Sequence, residues 1–225
     1  MLNTLDRAFV WVRERAFFYR FALFTRLMMA AAFIPTGMVK LLGRRFTLIG
    51  PGNPVGDFFE AMFQTGLYWQ FIGLSQVLAG LLLLTPLTAH LGAALFFPII
   101  VNIVVITVAL PFTGTPMITV PMMLAVTYLC CWDWHRFRAL FTLRPMEAPV
   151  PQPRLDPWER VGFGVFAVAL LGFFGVTRSL VPGWWSAAFV SLGLAAGLFT
   201  LSRFLWLTVR KDFPAADPSP APQAP

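Results

Sequence analysis

Residues 67–110 read LYWQFIGLSQVLAGLLLLTPLTAHLGAALFFPIIVNIVVITVAL, without one Asp, Glu, Lys or Arg among them. A helix needs about 20 apolar residues to cross the hydrocarbon core of a bilayer. This stretch holds two such lengths, 67–85 and 89–110, parted by Thr85-Pro86-Leu87-Thr88. A connection that short makes the two an antiparallel hairpin. Four further segments qualify, at roughly 21–41, 116–132, 161–181 and 185–207, and Pro111-Phe112-Thr113-Gly114-Thr115 is a second tight turn. The expectation is an all-α membrane protein, a four-helix transmembrane bundle plus a C-terminal transmembrane helix pair, six spans in total. A five-span layout, with the fifth or sixth segment peripheral, is the weaker alternative.

Composition points the same way. Of 225 residues, 58% are hydrophobic and 12% charged, and the mean hydropathy is +0.72. Soluble domains carry about a quarter charged residues, so much of this surface faces something other than water. The 24 Phe and eight Trp cluster near the ends of apolar runs, as aromatic belts at headgroup depth do. The net charge of +7 comes from basic residues that flank apolar segments rather than form one stripe. It reads as loop charge that orients helices, not as a nucleic-acid surface. The bilayer is the expected partner, with no nucleic acid.

Outside the spans, residues 1–19 alternate Arg13, Glu14 and Arg15 with Phe9, Trp11, Phe17 and Phe18, the pattern of an interfacial amphipathic helix. No secretory signal is readable there, so mature and encoded N-termini are expected to coincide. Residues 20–143 form the four-helix core, 144–159 a Pro-rich cytoplasmic linker, 160–209 the C-terminal hairpin and 210–225 a disordered tail. In the 42–66 loop, Gly50-Pro51-Gly52-Asn53-Pro54 is a turn, and Asp57 is expected to cap a short amphipathic helix.

Counting basic residues near helix ends sets orientation. One side collects Arg7, Arg13, Arg15, Arg20, Arg136, Arg138, Arg144, Arg154, Arg160, Arg203, Arg210 and Lys211; the other has Lys40, Arg44, Arg45 and Arg178. Both termini are therefore expected in the cytoplasm, in a bacterial inner (plasma) membrane.

Charges inside hydrocarbon cost about 2.5–3.5 kcal/mol on insertion scales, so intramembrane polar residues mark function first. Helical spacing puts Arg26, Ala30, Phe33, Gly37 and Lys40 on one face of the first span, with Thr36 beside them. Trp69, Gly73, Gln76 and Gly80 share a face of the second. Arg26 is expected to be packed and paired, Lys40 to snorkel to the outer interface. Pro98 frees the Ala94 carbonyl, and Asn102 lies one turn on. Gln76 and Asn102 are read as inward-facing amides, either interhelical glue or the lining of a small polar cavity. Arg26, Thr36, Lys40, Gln76 and Asn102 thus make the candidate polar face. Arg44, Arg45, Asp57 and Glu60 are the outer-loop candidates.

Gly193-Leu194-Ala195-Ala196-Gly197 is a small-xxx-small pattern that packs within the chain or against a second copy. Cys130, Cys131, Asp133 and His135 match no zinc spacing and read as an aromatic interfacial anchor with reduced cysteines. His90 and His135 stand at the boundary, too shallow for a bis-histidine haem. No Walker loop, dinucleotide glycine fingerprint or GxSxG elbow is present.

The run Arg26 through Pro35-Thr36-Gly37-Met38-Val39-Lys40-Leu41-Leu42-Gly43, with Phe46-Thr47, resembles the first helix of the DoxX family. Tyr68-Trp69-Gln70-Phe71-Ile72-Gly73-Leu74-Ser75-Gln76, Ala79-Gly80-Leu81-Leu82-Leu83-Leu84, Leu91-Gly92-Ala93-Ala94 and Pro98-Ile99-Ile100-Val101-Asn102-Ile103 extend the resemblance over roughly 20–140. It implies a four-helix membrane bundle and a link to membrane redox systems, since founding members are named for subunits of a thiosulfate:quinone oxidoreductase. No catalytic motif comes with it.

Three functions follow as expectations. The first is an accessory or anchoring component of a quinone-linked redox assembly, partnered by a redox protein or another copy of itself, with quinone as the cofactor to consider and no haem or metal. The second is a non-enzymatic membrane assembly factor. The third, a small-solute carrier, is weakened by the lack of an inverted repeat.

Overall fold

The computed structural model of the chain describes residues 2–141, 154–210 and 213, and every regular element among them is helical. An amphipathic helix α1 (Leu2–Glu14) breaks at Arg15, whose extended backbone starts α2 (Ala16–Leu41). The first long helix therefore begins five residues before the stretch at 21–41 that hydropathy marks out. Its added turn carries Arg20, a charge that lowers the local hydropathy but is neutralised in the fold.

A short α3 (Pro54–Gln64) precedes α4 (Leu67–Leu84), α5 (Ala89–Ala109) and α6 (Pro116–Trp132), and α7 (Trp134–Phe141) ends the first described block. Asn53, not Asp57, caps α3: its Oδ1 accepts from the amides of Val55 (3.1 Å) and Gly56 (2.9 Å). Pro54 then occupies the first helical position, where a missing N–H costs nothing. Asp57 lies in the first turn and accepts from the Gly52 amide at 3.0 Å.

Residues 142–153 and 214–225, which include most of the expected linker and the expected tail, lie outside the described residues. The helix α8 (Pro157–Thr177) starts inside the stretch assigned to the linker because Asp156 and Glu159 form a capping box. A short 3-10 turn, Gly183–Trp185, leads into α9 (Ser186–Arg210).

Five of these helices, α2, α4, α5, α8 and α9 with its lead-in, are long and apolar enough to cross a membrane; α6, at 17 residues, is a shorter apolar helix. The helices α4, α5 and α6 are apolar on all sides, and Leu74, Leu78, Leu81, Val105 and Leu124 stand exposed. That pattern suits hydrocarbon outside as well as protein inside. The chain is an integral membrane protein by this measure.

The core joins Ala30 and Phe33 of α2 to Ala79 and Leu83 of α4, Ala93 and Phe96 of α5, and Val126 and Leu129 of α6. Glycines allow the approach. A Cβ on Gly37 would stand 2.7 Å from the Gly73 carbonyl, and one on Gly92 2.7 Å from the Leu83 amide. The C-terminal pair is no detached appendage, because α8 packs on α2 as well as on α9. Gly193 and Gly197 of α9 face Ala169 and Phe166 of α8. Their small-residue face is thus used within the chain.

Candidate functional site

Polar groups gather at the two ends of α2. At its N-terminal end Arg20 grips Glu159 of α8 through a two-pronged contact, Nε to Oε1 at 2.6 Å and Nη2 to Oε2 at 2.5 Å. Glu159 is 0% exposed. Its Oε2 also accepts the Asp156 amide at 3.1 Å, so one carboxylate both caps α8 and ties it to α2. Asp156 in turn takes both prongs of Arg203 from α9, at 3.0 and 3.1 Å. That guanidinium holds the Asp156 carboxyl below its usual range.

Beside this pair lies a cavity of about 300 Å³, lined by Phe17, Arg20, Phe21, Phe24, Phe163, Phe166, Gly197, Thr200, Leu201 and Phe204. Phe24 stacks on Phe166 with ring centroids 5.7 Å apart. The guanidinium of Arg20 is 5.3 Å from the Phe204 ring. The space is an aromatic slot with one charged residue in its wall.

Six residues further along α2, Arg26 (7% exposed) donates to Asp133 Oδ2 at 2.9 Å, and Arg13 approaches the other oxygen at 4.0 Å. Arg13 also lies 4.5 Å from the Trp132 ring and donates to its carbonyl at 3.4 Å. Burial lowers the Arg13 pKa to about 10, Asp133 opposing. Asp133 is therefore engaged by arginines rather than by the neighbouring cysteines. His135 packs on Phe9; burial, then Arg13, brings its pKa down to about 4. Among the described residues no His, Cys, Asp and Glu converge on a metal geometry.

At the other end of α2, Lys40 is 5% exposed and does not snorkel. Its ammonium donates to Gln76 Oε1 at 3.1 Å and to the Thr36 carbonyl at 3.4 Å. The rings of Phe46 and Trp69 stand 4.1 and 5.5 Å away. The Gly37–Gly73 contact is the physical reason: it brings α4 so close that the lysine stem is covered between the two helices. Thr36 enters through its carbonyl, and Gln76 (3% exposed) is inward-facing.

Asn102 does not join them. It is exposed, as are Ala94 and Pro98. The face of α5 that packs holds Gly92, Ala93, Phe96 and Ile100, on the opposite side at 100° per residue. The small-residue stripe on α5 carried the correct signal; the polar residue misled. Between α2 and α4, Arg45 and Glu60 form a two-pronged pair at 2.9 Å each. Hydrogen bonds from Arg45 and Gln64 bring Glu60 down to about 2. Arg44 contributes its carbonyl, which accepts from Trp69 Nε1 at 3.0 Å. Asp57 and Glu60 thus serve the loop's own structure and stand apart from the Lys40 cluster. Glu159 and Arg20 are the members that the sequence did not single out, as is Arg178, whose guanidinium lies 4.7 Å from the same Phe46 ring that Lys40 approaches. The capping-box spacing Asp156…Glu159 was the available signal for one of them.

A comparison with known proteins places the chain beside "Uncharacterized protein YwoB" of Bacillus subtilis (strain 168), 32% identical over 130 residues that cover 55% of this chain and 83% of the relative. The chain belongs to the YwoB family. No family model matches the chain, and no solved structure matches it. The name YwoB transfers no activity, so function has to be argued from the residues just described.

Proposed function

We propose that this YwoB-family chain is an accessory membrane component of a quinone-linked redox assembly, holding a lipophilic quinone-class molecule in the aromatic slot between α2, α8 and α9. The observation that carries the reading is the slot itself, six phenylalanines with the Glu159-bound Arg20 in its wall. A planar ring with two carbonyls stacks on Phe faces and accepts from a guanidinium, while its tail runs out along apolar side chains. The DoxX resemblance of residues 20–140 supports the redox setting.

In this reading the chain crosses a bacterial plasma membrane six times with both termini cytoplasmic. Support comes from the count of basic residues and from α6, whose 17 residues extend about 25 Å and are completed by snorkelling ends. The assembly-factor reading has its own observation. Asn102 presents an amide on the outward face of α5, where a partner helix, from a redox protein or a second copy, would satisfy it.

A photoreactive, isoprenoid-tailed quinone analogue in proteoliposomes tests the slot. Labelling is expected within residues 17–24 and 163–166, competed by unlabelled quinone and lost in Leu201→Trp, which fills the slot from an exposed position. Labelling that a plain phospholipid competes equally well would refute the quinone reading and leave an assembly role, for which loss of cross-linked partner in Asn102→Leu is the readout.

A further inference from the structure

At the end of the bundle opposite the Arg20–Glu159 pair, two cations converge on one ring and neither meets a carboxylate. Lys40 Nζ is 4.1 Å from the Phe46 centroid, and the Arg178 guanidinium carbon is 4.7 Å from the same centroid. The two charges therefore stand no further apart than those two distances laid end to end. The nearby acids are engaged elsewhere, Glu60 by Arg45 and Asp57 by the Gly52 amide. Among the described residues neither Lys40 nor Arg178 has an acidic partner within ion-pair range.

This differs from the buried arginines among the described residues, each of which has a carboxylate within ion-pair range. Arg20 is matched by Glu159 and Arg26 by Asp133, each within hydrogen-bond distance. At Lys40 only two neutral oxygens accept, one at 3.4 Å, and the ammonium has three protons to give. The Nε of Arg178 is buried without an acceptor, as are those of Arg13, Arg26 and Arg138, but those three have a carboxylate on another nitrogen and Arg178 has none among the described residues. Phe46 lies within cation–π range of both, but a ring quadrupole supplies no lone pair and no net negative charge.

Geometry holds the arginine in place. It closes α8 at a turn in which the Ser179 amide donates to Val176 (3.0 Å) and the Leu180 amide to Gly175 (2.9 Å). Just beyond, Trp184 and Trp185 stack at 4.4 Å and are exposed, as interfacial tryptophans at headgroup depth are.

We propose that Lys40 and Arg178 form a binding site for a phosphate-group oxyanion. A tetrahedral anion presents several acceptor oxygens, so one group can take the spare ammonium proton and two guanidinium protons at once. Its source is either the headgroup of an anionic phospholipid in the adjoining leaflet or free phosphate. The site is independent of the aromatic slot at the other end of α2.

The test uses full-length protein, delipidated in detergent, with phosphatidylglycerol and inorganic phosphate as separate probes. Native mass spectrometry reads lipid retention, and thermal unfolding reads stabilisation. Wild type is expected to retain one phosphatidylglycerol, with Arg178→Gln and Lys40→Met each weakening retention at least tenfold. Arg44→Gln, a nearby exposed arginine outside the site, is expected to behave as wild type. Stabilisation by millimolar phosphate that also displaces the lipid would identify free phosphate as the ligand. Retention without any phosphate effect would identify the headgroup. Arg178 is only partly buried, so Arg178→Gln is expected to fold and decides the matter if Lys40→Met does not. Lipid retention and phosphate response in a folded Arg178→Gln equal to wild type would overturn the proposal.

Discussion

Replacing Gly73 with alanine adds one carbon where α4 lies directly against the backbone of α2. The new Cβ would stand 2.5 Å from the Leu41 amide nitrogen and 2.6 Å from the Gly37 carbonyl. Neither atom is the tip of a flexible side chain. The helices must part until that 2.5 Å approach becomes at least 3.4 Å, where ordinary contact begins. A gap of 0.5–1 Å forfeits roughly a quarter to a half of each dispersion contact along the seam. Over-packing of this kind costs about 1–3 kcal/mol, against roughly 1 kcal/mol that alanine gains over glycine inside a helix. The net expectation for Gly73→Ala is a loss of about 0–2 kcal/mol. The matched control is Gly164→Ala in α8, where a Cβ meets nothing within 4 Å. It keeps only the propensity gain, about 0.5–1 kcal/mol. The propensity gain is common to both, so the two variants should differ by the over-packing cost, about 1–3 kcal/mol or roughly 5- to 160-fold in the unfolding equilibrium. Titration of mixed micelles with sodium dodecyl sulfate, followed by tryptophan fluorescence, measures the difference. Unfolding of Gly73→Ala at the same detergent fraction as Gly164→Ala would refute the claim that backbone contact through glycine sets the α2–α4 distance.

Arg26→Leu leaves Asp133 with only Arg13 at 4.0 Å and is expected to cost about 3–5 kcal/mol, whereas adding Asp133→Leu recovers only part of it because buried Arg13 then loses its carboxylate; a double-mutant cycle on unfolding reads the coupling. His135, held neutral by burial with a pKa of about 4, binds its proton more readily in the unfolded chain. Its contribution is whole above the ordinary imidazole range and is lost as pH falls from about 6.5 toward that folded value, so hydrogen exchange at α7 should accelerate over that window and His135→Phe should flatten the profile. Ser179 occupies the left-handed position after α8 at φ 54, where glycine is the usual residue; Ser179→Gly should stabilise by about 1 kcal/mol, read in the same micelle titration.

Several features of the site were legible along the chain. The stripe Arg26, Ala30, Phe33, Gly37, Lys40 and its counterpart Trp69, Gly73, Gln76, Gly80 are buried throughout, because helical periodicity and small residues mark a packed face. The partners were not legible. Glu159 lies 139 positions from Arg20, and Asp133 lies 107 from Arg26. Asn102 shows the opposite failure. An amide in an apolar helix was read as inward, yet Gly92, Ala93, Phe96 and Ile100 had already claimed the packing side of α5.

Membrane residence and the helical class could be read from the chain alone, since transfer into hydrocarbon is a sum over neighbouring residues and that sum is local. Which carboxylate neutralises which guanidinium, and that Lys40 and Arg178 find none, depended on the three-dimensional fold. Coulomb energy and hydrogen bonding follow separation in space, and helix packing sets that separation without regard to distance along the chain.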